Sequence, residues 1–261
     1  MRYLLLALLP ALLIIFFACP PVTELGTPQN VTKQALESDN GGTLKISWDA
    51  VTDAEGYEIY FDGSTTADTT VTTTSVSIST PCKKIEIAAY KGSTKGEKAT
   101  VDVAPVVTQS VTVYYISDPT NTSHAIKFSA DGACIATVLG SDIEFVLDDT
   151  TTDNNGNRVP GFWSPDMYAT PYNGHDNGAG ASLGSNFNTV TAAPNPTTGD
   201  YLTRRAIVEG GVYPLWIDPT ANNWSSDDHF AKALVQSISG TTITLKVAYQ
   251  KVGGLRWLVT E

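Results

Sequence analysis

The chain has 261 residues, long enough for one large or two modest domains that each bury a core. Charged residues are 16% and aromatics 9%, with Thr, Gly and Asn plentiful, a balance that favours strands and loops over helices. A formal net charge of -11 makes attraction to phosphate backbones or anionic headgroups unfavourable and speaks against nucleic acid as a partner.

The N-terminus reads as an export signal: Arg2, an apolar run from Leu4 to Ala18, then Cys19. Pro10 interrupts the run, which falls short of the roughly 20 apolar residues of a permanent span. The segment FFAC resembles the bacterial lipobox, with Phe16 where Leu is usual. That resemblance implies lipid attachment at Cys19, a signal over 1–19, a polar tether over 20–27 and a protein held at the outer membrane or cell surface. Two cysteines remain, Cys82 and Cys134. An exported chain could oxidise them, and both a bridge and two separate buried thiols stay open.

From residue 28 the pattern is strand-like. Leu44, Ile46 and Trp48 alternate, then Tyr57, Ile59 and Phe61, then Val76 with Ile78, Ile85 with Ile87, and Val101 with Val103. Period-2 spacing gives each strand one buried face, and short strands at regular intervals predict a β-sandwich over 28–104. Trp48 and Tyr57 are expected in its core. Pro28, Trp48, GYEIY and IEIAAYKGSTKG together resemble a fibronectin type III domain, with Lys83 where that family places its corner tyrosine. The resemblance implies an immunoglobulin-like spacer or adhesion module.

Ala104 and Pro105 suit a short linker. Beyond it strands are predicted at Val111 to Ile116, Ala125 to Phe128, Cys134 to Val138, Ile143 to Leu147, Arg205 to Val208, Phe230 to Ile238, Thr242 to Tyr249 and Leu255 to Val259. A Ser239-Gly240 turn joins two of them. No helical period stands out, so the chain is expected to be all-β. The stretch from Asp148 to Asp200 would be a very long loop.

SDIEFVLDD, NGHDNGAGAS, FNTVTAAP and the run from Phe230-Ala231-Lys232 through ISGTTITLKVAYQ, in that order, resemble the HmuY-like family of bacterial surface lipoproteins. This implies a larger all-β domain over 106–261, displayed outside the cell. The best-known members hold haem through two axial side chains. Haem iron takes His, Met, Cys or Tyr. The interval from Pro194 to Asp227, where that family's ligands are expected, has no His and no Met, so no site is carried over. The candidates left for a cofactor are His175, His229 and Tyr213, with Tyr201 beside them.

Other chemistry is thin. Gly180-Ala181-Ser182-Leu183-Gly184 fits the G-x-S-x-G nucleophile pattern, but that motif works at a strand-to-helix turn, and here it lies in a Gly/Asn loop. Asp148 to Asn157 offers oxygens of the kind calcium takes, without EF-hand spacing. The pairs Asp148-Asp149 and Asp227-Asp228 sit on adjacent positions and so point to opposite faces. Trp163, Tyr168, Tyr172, Tyr213, Trp216 and Trp224 could stack on a ligand or cap the sandwich. The expectation is a non-enzymatic surface lipoprotein that binds an extracellular small ligand, haem-related or otherwise. The alternative is a structural or adhesive protein that meets a protein or glycan partner.

Overall fold

A computed structural model describes residues 24–168, 176–220 and 223–261; Cys19, Tyr172 and His175 lie outside them. The protein is all-β, and its described helical turns are three short 3-10 pieces at Glu37–Asp39, Pro165–Met167 and Phe187–Thr189.

The first eight strands are β1 (Thr32–Ala35), β2 (Leu44–Ser47), β3 (Gly56–Phe61), β4 (Thr69–Val71), β5 (Ser75–Ile78), β6 (Lys84–Lys91), β7 (Thr94–Lys95) and β8 (Ala99–Asp102). They form two antiparallel sheets, β1-β2-β5 and β4-β3-β6-β7, with β8 also paired to β6. Alternation decides the faces: Leu44 and Ile46 are buried while Lys45 between them is exposed. Trp48 meets Tyr57 edge-to-face at 5.1 Å, the arrangement that aromatic quadrupoles prefer. The Tyr57 phenol oxygen accepts the Val51 N–H at 2.8 Å, so its one polar atom is satisfied.

Only Val103, Ala104 and Pro105 separate β8 from β9 (Val106–Tyr114). There follow β10 (Ala125–Phe128), β11 (Cys134–Thr137), β12 (Phe145–Asp148), β13 (Gly161–Trp163), β14 (Gly178–Gly180), β15 (Tyr201–Leu202), β16 (Arg204–Ala206), β17 (Val212–Ile217), β18 (His229–Ser239) and β19 (Thr242–Gln250). Two further sheets result, β11-β10-β12-β13-β16 and β15-β14-β17-β18-β19-β9, with Val113, Phe145, Phe162, Leu215, Val235 and Leu245 in the core between them. The stretch expected as one long loop after Asp148 holds β13, β14 and two 3-10 turns. The β18–β19 hairpin turns on Gly240 and Thr241 rather than Ser239 and Gly240. Ser239 pairs with Thr242, and Gly240 takes φ +59, the positive angle that the first loop position of a II′ turn requires.

The expected strand over Leu255–Val259 does not form. One bridge, Ala192 to Trp257, is all the sheet pairing that segment makes. Its polar groups go instead to a turn of the first sandwich: Arg256 Nε donates to Asn40 O at 2.9 Å, Arg256 N to Gly41 O at 3.0 Å and Trp257 Nε1 to Gly42 O at 2.8 Å. Arg256 Nη1 also donates to Ala193 O at 2.7 Å. Leu255, Trp257 and Leu258, with Trp224 and Phe230, enter the same hydrophobic cluster as Leu44, Ile46 and Trp48. The two halves pair their strands separately and share one hydrophobic cluster.

Candidate functional site

At the β18–β19 hairpin end of the second sandwich lies a cavity of about 470 Å³. Four pieces of chain enclose it. Tyr115 follows the last residue of β9 and keeps the buried phase of Val111 and Val113. Its N–H donates to Thr241 O at 2.8 Å, which holds the end of β9 against the hairpin turn. Ser117 comes two residues later. Asp149 follows the last residue of β12, and Arg158 with Pro160 precedes β13. The segment between Asp149 and Pro160 is a small hairpin with a Thr152–Arg158 bridge. Asp153 closes it, its Oδ1 accepting the Asn155 and Asn157 N–H groups at 2.8 and 2.9 Å.

Asp148 and Asp149 do point apart. Asp148 accepts the Tyr168 hydroxyl and the Thr150 N–H. Asp149 turns into the cavity, where Oδ2 accepts from Ser117 Oγ at 2.6 Å and from Arg158 Nη1 at 3.1 Å. Tyr115 is 2% exposed and Asp149 6%. Yet Tyr115 Oη and Asp149 Oδ1 have no hydrogen-bond partner. Among the described residues three buried side-chain polar atoms are in that position; the third, Trp48 Nε1, lies in the first sandwich. A buried orphan costs about 1–3 kcal/mol, so two on one cavity wall call for a physical reason. Burial first, and the Asp149 carboxylate second, push the Tyr115 phenol well above its usual range and keep its proton on. At the rim the Thr241 hydroxyl donates to Asp118. That bond and those from the Asn121 and Thr120 amides hold the Asp118 carboxyl well below the usual carboxylate range. Tyr115, Ser117, Asp149, Arg158 and Thr241 line the cavity with Pro160 and Ile238, and the two unpartnered oxygens lie buried behind its surface.

The residues singled out from sequence lie elsewhere. Tyr213 is a core residue: its hydroxyl accepts the Val208 N–H at 2.9 Å and its ring meets Phe162 edge-to-face. His229, first in β18, lines a second cavity of about 520 Å³ with Phe128, Tyr249 and Lys251. Its ring lies 5.2 Å from Tyr249, which stacks on Phe128. The 3.0 Å contact from His229 Nδ1 to Gln250 O puts the proton on Nδ1 and leaves Nε2 as the acceptor. Tyr201 donates to Pro194 O and packs on Trp216. The described candidates thus offer one ring nitrogen to a haem iron, where the resemblance implies a pair, and His175 lies outside the described residues. No cluster of His, Cys, Asp or Glu with metal-ligating geometry occurs among the described residues.

Ser182 is exposed and bonds within its own loop, to Gly184 O at 3.2 Å, with only a three-residue 3-10 turn at Phe187–Thr189 after it. The aromatics are packed rather than presented. Trp163 is covered by Arg204, Trp224 donates to Gly254 O at 2.9 Å and Trp216 to Asp228 at 2.8 Å. Cys82 and Cys134 are separate buried thiols. Sequence reasoning missed Tyr115, which alternates like a core residue, and Arg158, which sits in a polar loop.

No family model matches the chain, and no curated protein matches it. Among solved structures, a DUF4466 family protein from Parabacteroides merdae is similar at 11% identity and a TM-score of 0.37, covering 85% of this chain and 97% of that one.

Proposed function

We propose that the protein is a non-enzymatic binding module of the bacterial cell surface. In this reading it is exported, anchored by lipid at Cys19, spaced from the membrane by a fibronectin type III-like sandwich, and charged with holding a small extracellular ligand in its HmuY-like second sandwich. The packing of a three-stranded and a five-stranded antiparallel sheet around Trp48 and Tyr57 supports the spacer reading. The observation that carries the binding reading is a cavity of about 470 Å³ on which polar side chains from both sheets of the second sandwich converge, Ser117, Asp149, Arg158 and Thr241 among them. Binding sites are concave and use a few polar groups that converge from different strands. Tyr115 directly follows β9 and Asp149 directly follows β12, strands of opposite sheets, and the two are held there by Thr241, Ser117 and Arg158.

The test is a thermal-shift screen of small polar compounds against the wild-type chain and Asp149→Asn in parallel. Compounds that raise the wild-type melting temperature and leave the variant unmoved are the expected result. If every stabilising compound acts equally on both proteins, the ligand is not held here. A haem titration is the complementary arm: a saturable Soret shift abolished by His229→Ala would move the ligand to the cavity beside Tyr249.

A further inference from the structure

We infer that one end of the first sandwich, formed by Leu25, the turn over 51–55 and the β6–β7 turn around Ser93, is the face that the anchor holds against the bilayer. The inference rests on the reading of lipid attachment at Cys19 and adds which surface meets the lipid headgroups.

The reach of the tether comes first. Leu25 is 7% exposed and packs in the cluster that holds Leu44, Ile46 and Trp48. The folded body therefore includes Leu25, and only residues 20–24 separate it from Cys19. A chain spans at most about 3.3–3.6 Å per residue, so Cys19 lies within roughly 20 Å of Leu25 however the tether runs.

Strand registers show which end of the sandwich this is. Leu25 O and Gly26 O stand so close to Gly96 that a Cβ there would lie 2.8 Å from each. Gly96 N donates to Ala89 O at 2.9 Å, and Lys91 pairs with Thr94 across the β6–β7 turn. Glu55 Oε2 accepts the Gly92 N–H at 2.9 Å and Lys91 Nζ lies 3.9 Å from Asp53 Oδ1, so the 51–55 turn is beside it. The opposite end carries the joint to the second sandwich. There β8 runs from Ala99, paired with Ile87, to Asp102, paired with Lys84, and three residues later β9 begins. From the joint, β9 and β19 extend from Val106 and Tyr249 to Tyr114 and Thr242 beside the Tyr115–Thr241 cavity, nine residues and about 30 Å away. The anchored end and the cavity thus stand at opposite ends of the path through β8 and β9. Charge does not hold the anchored end to lipid, since Lys91 and Lys95 are matched by Asp53 and Glu58, and Glu24 and Glu97 lie beside Lys95. The short tether holds it.

The experiment places the full lipidated chain in phosphatidylcholine vesicles that contain a lipid with a nitroxide headgroup as quencher, with a fluorophore on one introduced cysteine at a time. Ser93→Cys marks the proposed face. Thr65→Cys, in the turn between Phe61 and Thr69, marks the opposite end of the same sandwich, and Ser239→Cys marks the hairpin beside the cavity. All three positions are exposed, while Cys82 and Cys134 are buried and stay unlabelled. Quenching at position 93 should be at least twice that at position 65 and absent at position 239. Equal quenching at 93 and 65 would mean that the sandwich lies on its side, and stronger quenching at 65 that it is inverted; either result overturns the inference. Flotation with the vesicles tests the anchor separately: the wild-type chain should float and Cys19→Ala should not. If neither floats, the lipid reading fails and the inference falls with it. If both float, a surface of the protein binds lipid unaided and the short tether is not what sets the contact, which also overturns it.

Discussion

The two sandwiches bury different things. The residues enclosed in the first are apolar or, like Tyr57, complete their one polar bond inside it, with Trp48 Nε1 the exception, and its ion pairs run along the surface, as Lys95 with Glu58 and Lys98 with Glu86. Pairs of that kind contribute little. The second sandwich takes in Asp148, Asp149, Ser164, Asn177, Asp218, Asp228, Lys232 and Gln250, and every buried polar or charged side chain of the described residues follows Pro105. An apolar core holds a distance; a polar interior has to be organised. Most of these groups are organised completely, as clasps on irregular backbone. Gln250 bonds Val103 and Trp257, Lys232 bonds Phe187 and Val190, and Asn177 bonds Glu144 and Asp218. Asp149, with Tyr115 beside it, is organised incompletely, since Oδ1 and the phenol oxygen have no partner.

The shared core is the place to break the comparison with most force. Gly41 has φ +81, and a Cβ there would stand 1.7 Å from Gly254 O, which is backbone and cannot swing aside. Gly41→Ala should cost about 4 kcal/mol and push the C-terminal clasp off the first sandwich. Scanning calorimetry should show one cooperative transition for the wild type and a lower, split one for the variant. A single unchanged transition would mean that the sandwiches are joined only in sequence. Gln250→Leu comes next. Its amide nitrogen donates to Val103 O and Trp257 O, both at 2.9 Å, and its oxygen accepts the Val252 N–H at 2.9 Å, so three backbone groups lose their partner. A loss of about 3 kcal/mol in urea unfolding is expected.

Lys232 tests the second sandwich alone. Its ammonium is fully buried, donates to Phe187 O at 2.6 Å, Val190 O at 2.8 Å and Thr260 Oγ1 at 3.1 Å, and lies over the Phe187 ring. Burial, assisted by Lys246 and opposed by Glu261, pushes it down to about 8 from 10.5. Between those two pH values the unfolded chain holds a proton that the folded chain has lost, so stability rises with pH across that window. The contribution is about 3 kcal/mol. It should be read as the difference between wild type and Lys232→Met, because the tyrosines raised by burial, Tyr115, Tyr201 and Tyr249, titrate above the same range and cancel in the subtraction. Parallel pH profiles for the two proteins would show that the ammonium is not buried in solution.

How far the sequence could carry these readings depends on how local the cause is. Leu44 and Ile46 announce a strand because burial on one face is written in period 2, and the β18–β19 hairpin is legible for the same reason. Its turn was displaced by one residue, since Ser239 and Gly240 suit a loop equally well until the pairing of Ser239 with Thr242 fixes the register. Leu255 to Val259 alternates too, but Arg256 and Trp257 find their partners at Asp39, Asn40 and Gly42, more than 200 residues away, and no local pattern reports that. The site is harder still. Tyr115 alternates with Val111 and Val113 as a core residue should, and it is one. What marks it is a missing hydrogen bond, which exists only once β9, β12 and the hairpin have met.

The smallest expected effect is on the thiols, and it reports on the joint without perturbing it. Cys82 and Cys134 lie one in each half, and burial pushes both up to about 12, with Asp62 and Asp68 adding to the rise at Cys82. Thiolate is the reactive form, so at neutral pH about one molecule in 10⁵ carries it at either site and disulfide reagents should leave the native chain untouched. Labelling then needs opening. If the common core of Leu44, Trp224, Phe230 and Trp257 couples the halves, Cys82 and Cys134 should label together along a urea series, each tracking global unfolding. Cys134 lies in β11, the outermost strand of its sheet, and is the thiol that would run ahead if the second sandwich opened alone. Equal rates in the wild type and unequal rates in Gly41→Ala would place the coupling in the C-terminal clasp. Unequal rates in the wild type would show that the two sandwiches open separately despite sharing that cluster.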